Sequence, residues 1–354
     1  MQERLSKFRV QLDAAGHSAA LIHRPENMFY ISGYRGEGML LITGSQAAVL
    51  TDFRYVEQAG SQAPGWAIEM TTADNPPEAI AKSLLDGEGI VSVALEHDFL
   101  PMADYEKLAG KLGITLSPLN GIPENLRRIK EPGELIAMRK ASSIACAAFD
   151  KVLPFIKPGV SEKDIKLELE YTMLRLGADA VGFPSIVAAG PNGSLPHATP
   201  GPRKLQAGEL LTMDFGAESD GYLTDITRTV AVGKISDELR RIYDDVLSAQ
   251  LMALDAVKSG AVCKTVDAVA RDYLEARYPG RFGHGLGHGV GVMIHESPRF
   301  NARDDTVLEA GMVMTVEPGV YIPGLGGCRI EDTVAVTQEG CEILITAPKH
   351  LIEL

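Results

Sequence analysis

Cysteine is scarce: four residues in 354, Cys146, Cys263, Cys328 and Cys341. None forms a C-x-x-C pair, so neither a zinc ribbon, a thioredoxin-like site nor a disulfide framework is expected, and reduced thiols in a cytoplasmic protein are the simplest reading. Long hydrophobic runs are also missing. No stretch approaches the ~18 apolar residues that a membrane span needs. The first thirty residues carry Glu3, Arg4, Lys7, Arg9 and Asp13 in place of the apolar core of a secretory signal, so no leader and no membrane partner are expected. Positive charge is the minority sign, 34 basic against 47 acidic residues for a net −13. A protein built to grip nucleic acid needs a positive surface, so that class is excluded. What remains is ordinary globular composition, 45% hydrophobic and 23% charged, in a chain long enough for two domains.

The N-terminal third alternates short strands and helices. Residues 1–15 read as a helix with Leu5, Phe8 and Leu12 on one face, and residues 39–43 and 47–51 as strands flanking the Gly44-Ser45 turn. Residues 1–122 are expected to form an α/β domain with no catalytic constellation. The breakers Pro118, Gly121 and Pro123 mark a junction, and Pro132 suits the first turn of a long helix. Residues 123–354 form the second expected domain. Ser161 with Asp164 resembles a capping box, and Ser236 a helix cap. This part contains two similar halves, each with long helices followed by a β-hairpin, although residue identities do not repeat.

The hairpins carry the chemistry. With the first turn centred between Ser219 and Asp220, Asp214 faces Asp225, with β-carbons ~4.5–5.5 Å apart. Leu211, Met213, Phe215, Leu223 and Ile226 surround them, and like charges among apolar residues require neutralisation. A shared proton is one solution, and a metal ion a better one. A second loop centred on Gly324 sets Glu317 opposite Glu331. Four carboxylates brought together by matching halves suit two divalent cations at the ~3.5–4 Å spacing of two-metal hydrolytic sites. The competing reading is a set of surface acids on a wet sheet face.

Between the hairpins lies a glycine–histidine segment containing His284, His288 and His295. Its glycines let the backbone run close to a site. If it is extended, period two puts His284 and His288 on one face, and His295 needs a bend to join them. His197, in Leu195-Pro196-His197-Ala198, is a weaker candidate.

These residues resemble the pita-bread metallopeptidases, and within them the Xaa-Pro dipeptidase (prolidase) and aminopeptidase P group. The five metal ligands of that family fall on Asp214 in MDFG, Asp225 in YLTDITRT, His288 in GHGLGHGVG, Glu317 in TVEPGVY and Glu331 in RIEDT. Residues 1–120 resemble the creatinase-type N-terminal domain, including ISGYRGEG and LTDFRYVEQA. The resemblance implies an α/β creatinase-like domain followed by an α+β pita-bread catalytic domain with pseudo-two-fold halves. It implies two divalent ions bridged by Asp225 and Glu331, with Asp214 on one and His288 and Glu317 on the other. A bridging water would be the nucleophile and Glu317 the proton shuttle. His197 and His295 would bind substrate and stabilise the oxyanion, and His284 would line the proline pocket. Arg329 and Tyr321 would either support the metal ligands or hold a substrate carboxylate.

Four carboxylates and one imidazole make a hard donor set, favouring Mn²⁺, with Co²⁺ or Zn²⁺ as alternatives. Implied substrates are proline-containing dipeptides or short peptides, and the implied assembly is a homodimer. One departure is Cys328, where an aliphatic residue is expected beside Arg329; a small buried side chain is the preferred reading over a redox-sensitive thiol. A creatinase-like hydrolase lacks the complete ligand set, a methionine aminopeptidase usually lacks this N-terminal domain, and non-catalytic binding relatives typically lose ligands.

Overall fold

The computed structural model describes residues 2–354. Two compact units divide after Arg127. The helix Ile122–Arg127 closes the first unit, so that unit runs past the expected boundary at residue 122.

The first unit is built on a six-stranded mixed sheet. Its spatial order is Ala67–Thr71, Ala47–Asp52, Met39–Thr43, Ala19–Ile22, Ser92–Leu95 and Thr115–Pro118. The central strands are buried throughout because apolar side chains cover both faces. Phe8, Ile22 and Ile31 pack on one side, and Leu21, Leu41 and Leu85 on the other.

The second unit pairs helices with strands twice. In the first half the helices are Pro132–Val152 and Glu162–Arg175, and the main strands are Glu209–Phe215 and Ile226–Val232. In the second half the helices are Asp237–Ala256 and Cys263–Glu275, and the strands include Gly287–Gly289, Glu296–Phe300, Val313–Val316 and Asp332–Val336. Local sequence chemistry starts three of these helices. Pro132 takes the first helical position inside a Glu131/Glu134 capping box, Ser161 and Asp164 form another, and Ser236 accepts the Leu239 N–H. Each half buries its own core, one around Phe149, Leu211 and Phe215, the other around Tyr243, Phe300 and Met314.

The first hairpin does not take the expected register. Asp214 pairs with Thr227 and Phe215 with Ile226; Asp214 and Asp225 are therefore not directly opposed. The turn is centred on Asp220 and Gly221, both with positive φ (53° and 81°). This is the Asp-Gly geometry whose twist suits a two-residue hairpin loop. The expected centre lay one residue too early. The second hairpin does take the expected register. Gly319 pairs with Arg329 and Ile322 with Gly326, and on the far side Val316 pairs with Asp332, so Glu317 and Glu331 stand across from each other. Among the described residues no helix is long and apolar enough to cross a membrane.

Candidate metal centre

A seam between the halves brings the two hairpins together. The Glu331 N–H donates to the Thr227 carbonyl at 3.1 Å, and the Thr229 hydroxyl donates to the Arg329 carbonyl at 2.8 Å. Beneath them the buried Arg228 guanidinium donates to the carbonyl oxygens of Thr227 and Glu331 and to the Asp332 carboxylate. Asp225 is clamped through its backbone, since its N–H donates to the Thr333 hydroxyl, which in turn donates to its carbonyl.

The side chains above the seam converge. Ligand-type atoms of Asp225, His288 and Glu331 all lie within 4.8 Å of one another. His288 Nε2 is 3.6 Å from Asp225 Oδ2 and 3.4 Å from Glu317 Oε1. Its Nδ1 lies 3.0 Å from the Gly289 carbonyl, the contact that leaves Nε2 free as a ligand. Asp214 joins through Arg329, whose Nη2 donates to Asp214 Oδ2 at 2.5 Å. Three buried carboxylate oxygens, Asp214 Oδ1, Asp225 Oδ1 and Glu331 Oε1, have no hydrogen-bond partner. Orphaned buried acceptors are costly. Three of them beside an unprotonated imidazole nitrogen fit a site for hard divalent cations.

The electrostatics agree. Burial, with Asp214 and Glu317 adding repulsion, drives the Asp225 carboxyl well above the usual carboxylate range. Glu331 moves the same way, through burial and then Asp225. Burial raises Glu317 to about 8 and lowers His288 to about 3. Without cations, burial favours the protonated form of these acids and the neutral form of the imidazole.

The cluster forms one side of a cavity of about 260 Å³, also lined by His197, His284, His295 and Arg329. The expected bend occurs at residues 291–295 and brings the His295 ring to 4.4 Å from that of His288, edge-on. His197 is exposed in a turn at the cavity wall. His284 Nδ1 meets the Gly285 carbonyl at 2.7 Å and Nε2 the Tyr321 hydroxyl at 2.9 Å. Burial lowers it to about 4. Gly287 is needed for close approach, because a Cβ there would fall 2.0 Å from the Thr315 carbonyl oxygen.

Tyr321 and Glu331 stand behind the cavity. Arg329 donates from Nη1 to the Tyr321 hydroxyl (2.8 Å) and from Nε to the Thr227 hydroxyl (3.1 Å). All three of its nitrogens hold protein groups. Cys328 is fully buried, and burial pushes its thiol up to about 12, the behaviour of a small inert side chain.

Sequence reasoning missed Thr227 and Thr315. Thr227 donates to Glu331 Oε2 at 2.6 Å, and Thr315 donates to Glu317 Oε1 at 3.2 Å. Each lies two residues from a carboxylate on its own chain segment, so period-two placement would have found both. It also missed the apolar Phe183 and Ile186 of the cavity wall.

Comparison with known proteins agrees with this geometry. Residues 136–338 match metallopeptidase family M24, and residues 4–129 match the creatinase/prolidase N-terminal domain. The chain is 34% identical to the Xaa-Pro dipeptidase of Pyrococcus furiosus, over 99% of this chain and 100% of that one. A solved Xaa-Pro dipeptidase from Bacillus anthracis superposes with a TM-score of 0.97 at 41% identity, covering 100% of this chain and 99% of its own. An X-Pro aminopeptidase from Thermotoga maritima gives 0.91 at 32% identity, covering 97% and 100%.

Proposed function

The chain belongs to metallopeptidase family M24, with a creatinase-type N-terminal domain and a pita-bread catalytic domain, and we propose that it hydrolyses the bond between an N-terminal residue and proline in dipeptides or short peptides. The observation that carries this reading is the set of buried, unpartnered carboxylate oxygens converging with His288 beside a histidine-lined cavity. Asp214, Asp225, His288, Glu317 and Glu331 would hold two divalent ions. When bound, such ions supply the Lewis acidity that makes water nucleophilic near neutral pH.

The remaining steps belong to side chains of this protein. Glu317 Oε1 accepts a proton from the attacking water and returns it to the leaving nitrogen. That return is required because an amide anion is too poor a leaving group to depart unprotonated; the prolyl nitrogen, which carries no hydrogen in the scissile bond, leaves as a secondary amine. His197 and His295 orient the scissile carbonyl and donate to its oxygen as negative charge develops there. His284, with both ring nitrogens engaged within the protein, offers a flat wall beside Phe183 and Ile186 for the prolyl ring. Arg329 and Tyr321 keep Asp214 and His284 in place.

The test compares an Xaa-Pro dipeptide, the matching Xaa-Ala dipeptide and an Xaa-Pro-Xaa tripeptide. A strong preference for proline after the scissile bond supports the reading, and the dipeptide-to-tripeptide ratio assigns the subclass. Equal rates on Xaa-Ala would overturn it. The hard donor set favours Mn²⁺ over Co²⁺ or Zn²⁺. Family resemblance further suggests a cytoplasmic homodimer; light scattering should give twice the 38.0 kDa chain mass, and a particle of the monomer mass would refute the dimer.

A further inference from the structure

Against the loop that carries His295 lies a buried ion pair that the reaction above does not use. Lys130 Nζ is 2.9 Å from Glu296 Oε2, and the two side chains are only 2% and 4% exposed. The partners are 166 positions apart in the chain. Glu296 begins the strand Glu296–Phe300, immediately after the loop that ends in His295. Its second oxygen, Oε1, accepts the Met293 N–H from within that loop at 3.1 Å.

The loop rests directly on the pair. A Cβ placed on Gly291 would lie 2.9 Å from both Glu296 Oε2 and Lys130 Cε. The Gly291 N–H donates to the Met293 carbonyl at 3.0 Å. The Gly291 carbonyl accepts the Leu223 N–H at 2.8 Å, tying the loop to the segment that leads into Asp225. Lys130 is itself anchored, its N–H donating to the Gly311 carbonyl at 2.8 Å. His295, by contrast, makes no side-chain hydrogen bond to another described residue; apart from its edge-on contact with the His288 ring, its place follows from the backbone that carries it.

Desolvation of both charges largely offsets the attraction in a buried ion pair, so such a pair is a weak source of stability. An apolar pair of similar volume would pack as well. It would not give the Met293 N–H a fixed acceptor, nor hold that acceptor still. We propose that Lys130 and Glu296 are positioning residues, whose ion pair fixes the 291–295 loop and so the placement of His295 at the reaction centre. This inference rests on the peptidase reading.

The test is a double-mutant cycle on the metal-loaded enzyme, using an Xaa-Pro dipeptide. Lys130→Met is made alone and with His295→Ala. Alone it should lower kcat by on the order of 10- to 100-fold, the usual result of a small misplacement, with KM and bound metal little changed. In the His295→Ala background it should change kcat by less than about twofold, because the residue it acts through is gone. An equal fold-loss in both backgrounds, or no loss in either, overturns the proposal. Should Lys130→Met fail to fold, Glu296→Gln takes its place in the same cycle, since the amide oxygen still accepts the Met293 N–H. An inactive wild-type enzyme would instead defeat the peptidase reading. The loop is then read from the His295 ring signals by NMR, which should shift in Lys130→Met; unshifted signals overturn the inference.

Discussion

Asp225→Asn is expected to lower kcat for Xaa-Pro cleavage by about a thousandfold, roughly 4 kcal/mol of lost transition-state stabilisation. The amide is isosteric, and the hydrogen bonds that fix residue 225 come from its backbone N–H and carbonyl through Thr333. The fold should therefore survive. What changes is charge. Asp225 sits where Asp214, Glu317 and Glu331 also point, and its Oδ1 has no partner within the protein. In the proposed site it would help to hold the cations. An asparagine supplies neither the negative charge nor two acceptor oxygens, and its NH₂ would point hydrogens at a cation. Circular dichroism should match wild type while bound metal falls. Near-normal turnover with unchanged metal content would refute the two-ion arrangement.

Stripped of metal, the protein is expected to lose stability as pH rises from about 6.5 to 8. The carboxyls of Asp225, Glu317 and Glu331 are raised in the folded state, Glu317 to about 8. In the unfolded chain they titrate near about 4. Across that window the folded protein still holds protons that the unfolded chain has released, so deprotonation favours unfolding. His288 and His284 act in the opposite sense, because burial lowers them to about 3 and about 4. Their effect lies mainly below the usual histidine value of about 6.5, which leaves the higher window to the acids. Unfolding midpoints measured in EDTA should fall across it. Bound divalent ions should reverse the trend, because they replace the protons and release them on binding. A midpoint in EDTA that stays flat or rises would contradict the burial argument.

Much of the candidate site was legible in the sequence because its acids and histidines lie in short local motifs. Asp214 lies within the strand Glu209–Phe215, and Asp225, Glu317 and Glu331 each sit directly beside a strand end. The extended reading holds for His288, in the strand Gly287–Gly289, but not for His284, which sits at a bend before it. The halves were legible from their helix caps and hairpins. The first hairpin was misregistered because the turn was centred before Asp220 rather than between Asp220 and Gly221. The error moved the pairing by two positions. A two-residue shift keeps every side chain on its own face, so Asp214 and Asp225 still belong together; a shift of one would have separated them. The seam could not be read this way. Arg228 reaching the Glu331 carbonyl and Thr227 reaching its carboxylate join residues 103 and 104 positions apart. Nor could the Lys130–Glu296 pair, since neither residue has a local pattern that names its partner. In the first unit the helices Pro25–Ser32 and Pro77–Gly87 went unread, although each opens on a proline suited to the first helical turn.

The central claim is that the buried acids and His288 hold two ions on which peptide cleavage depends. Its most direct test is proline release from an Xaa-Pro dipeptide by EDTA-stripped protein, titrated with Mn²⁺ while bound metal is counted. The account predicts no release from stripped protein and a rise with added Mn²⁺ that levels off at two ions per chain. Full activity in stripped, folded protein, or no cleavage with any divalent ion, would contradict it.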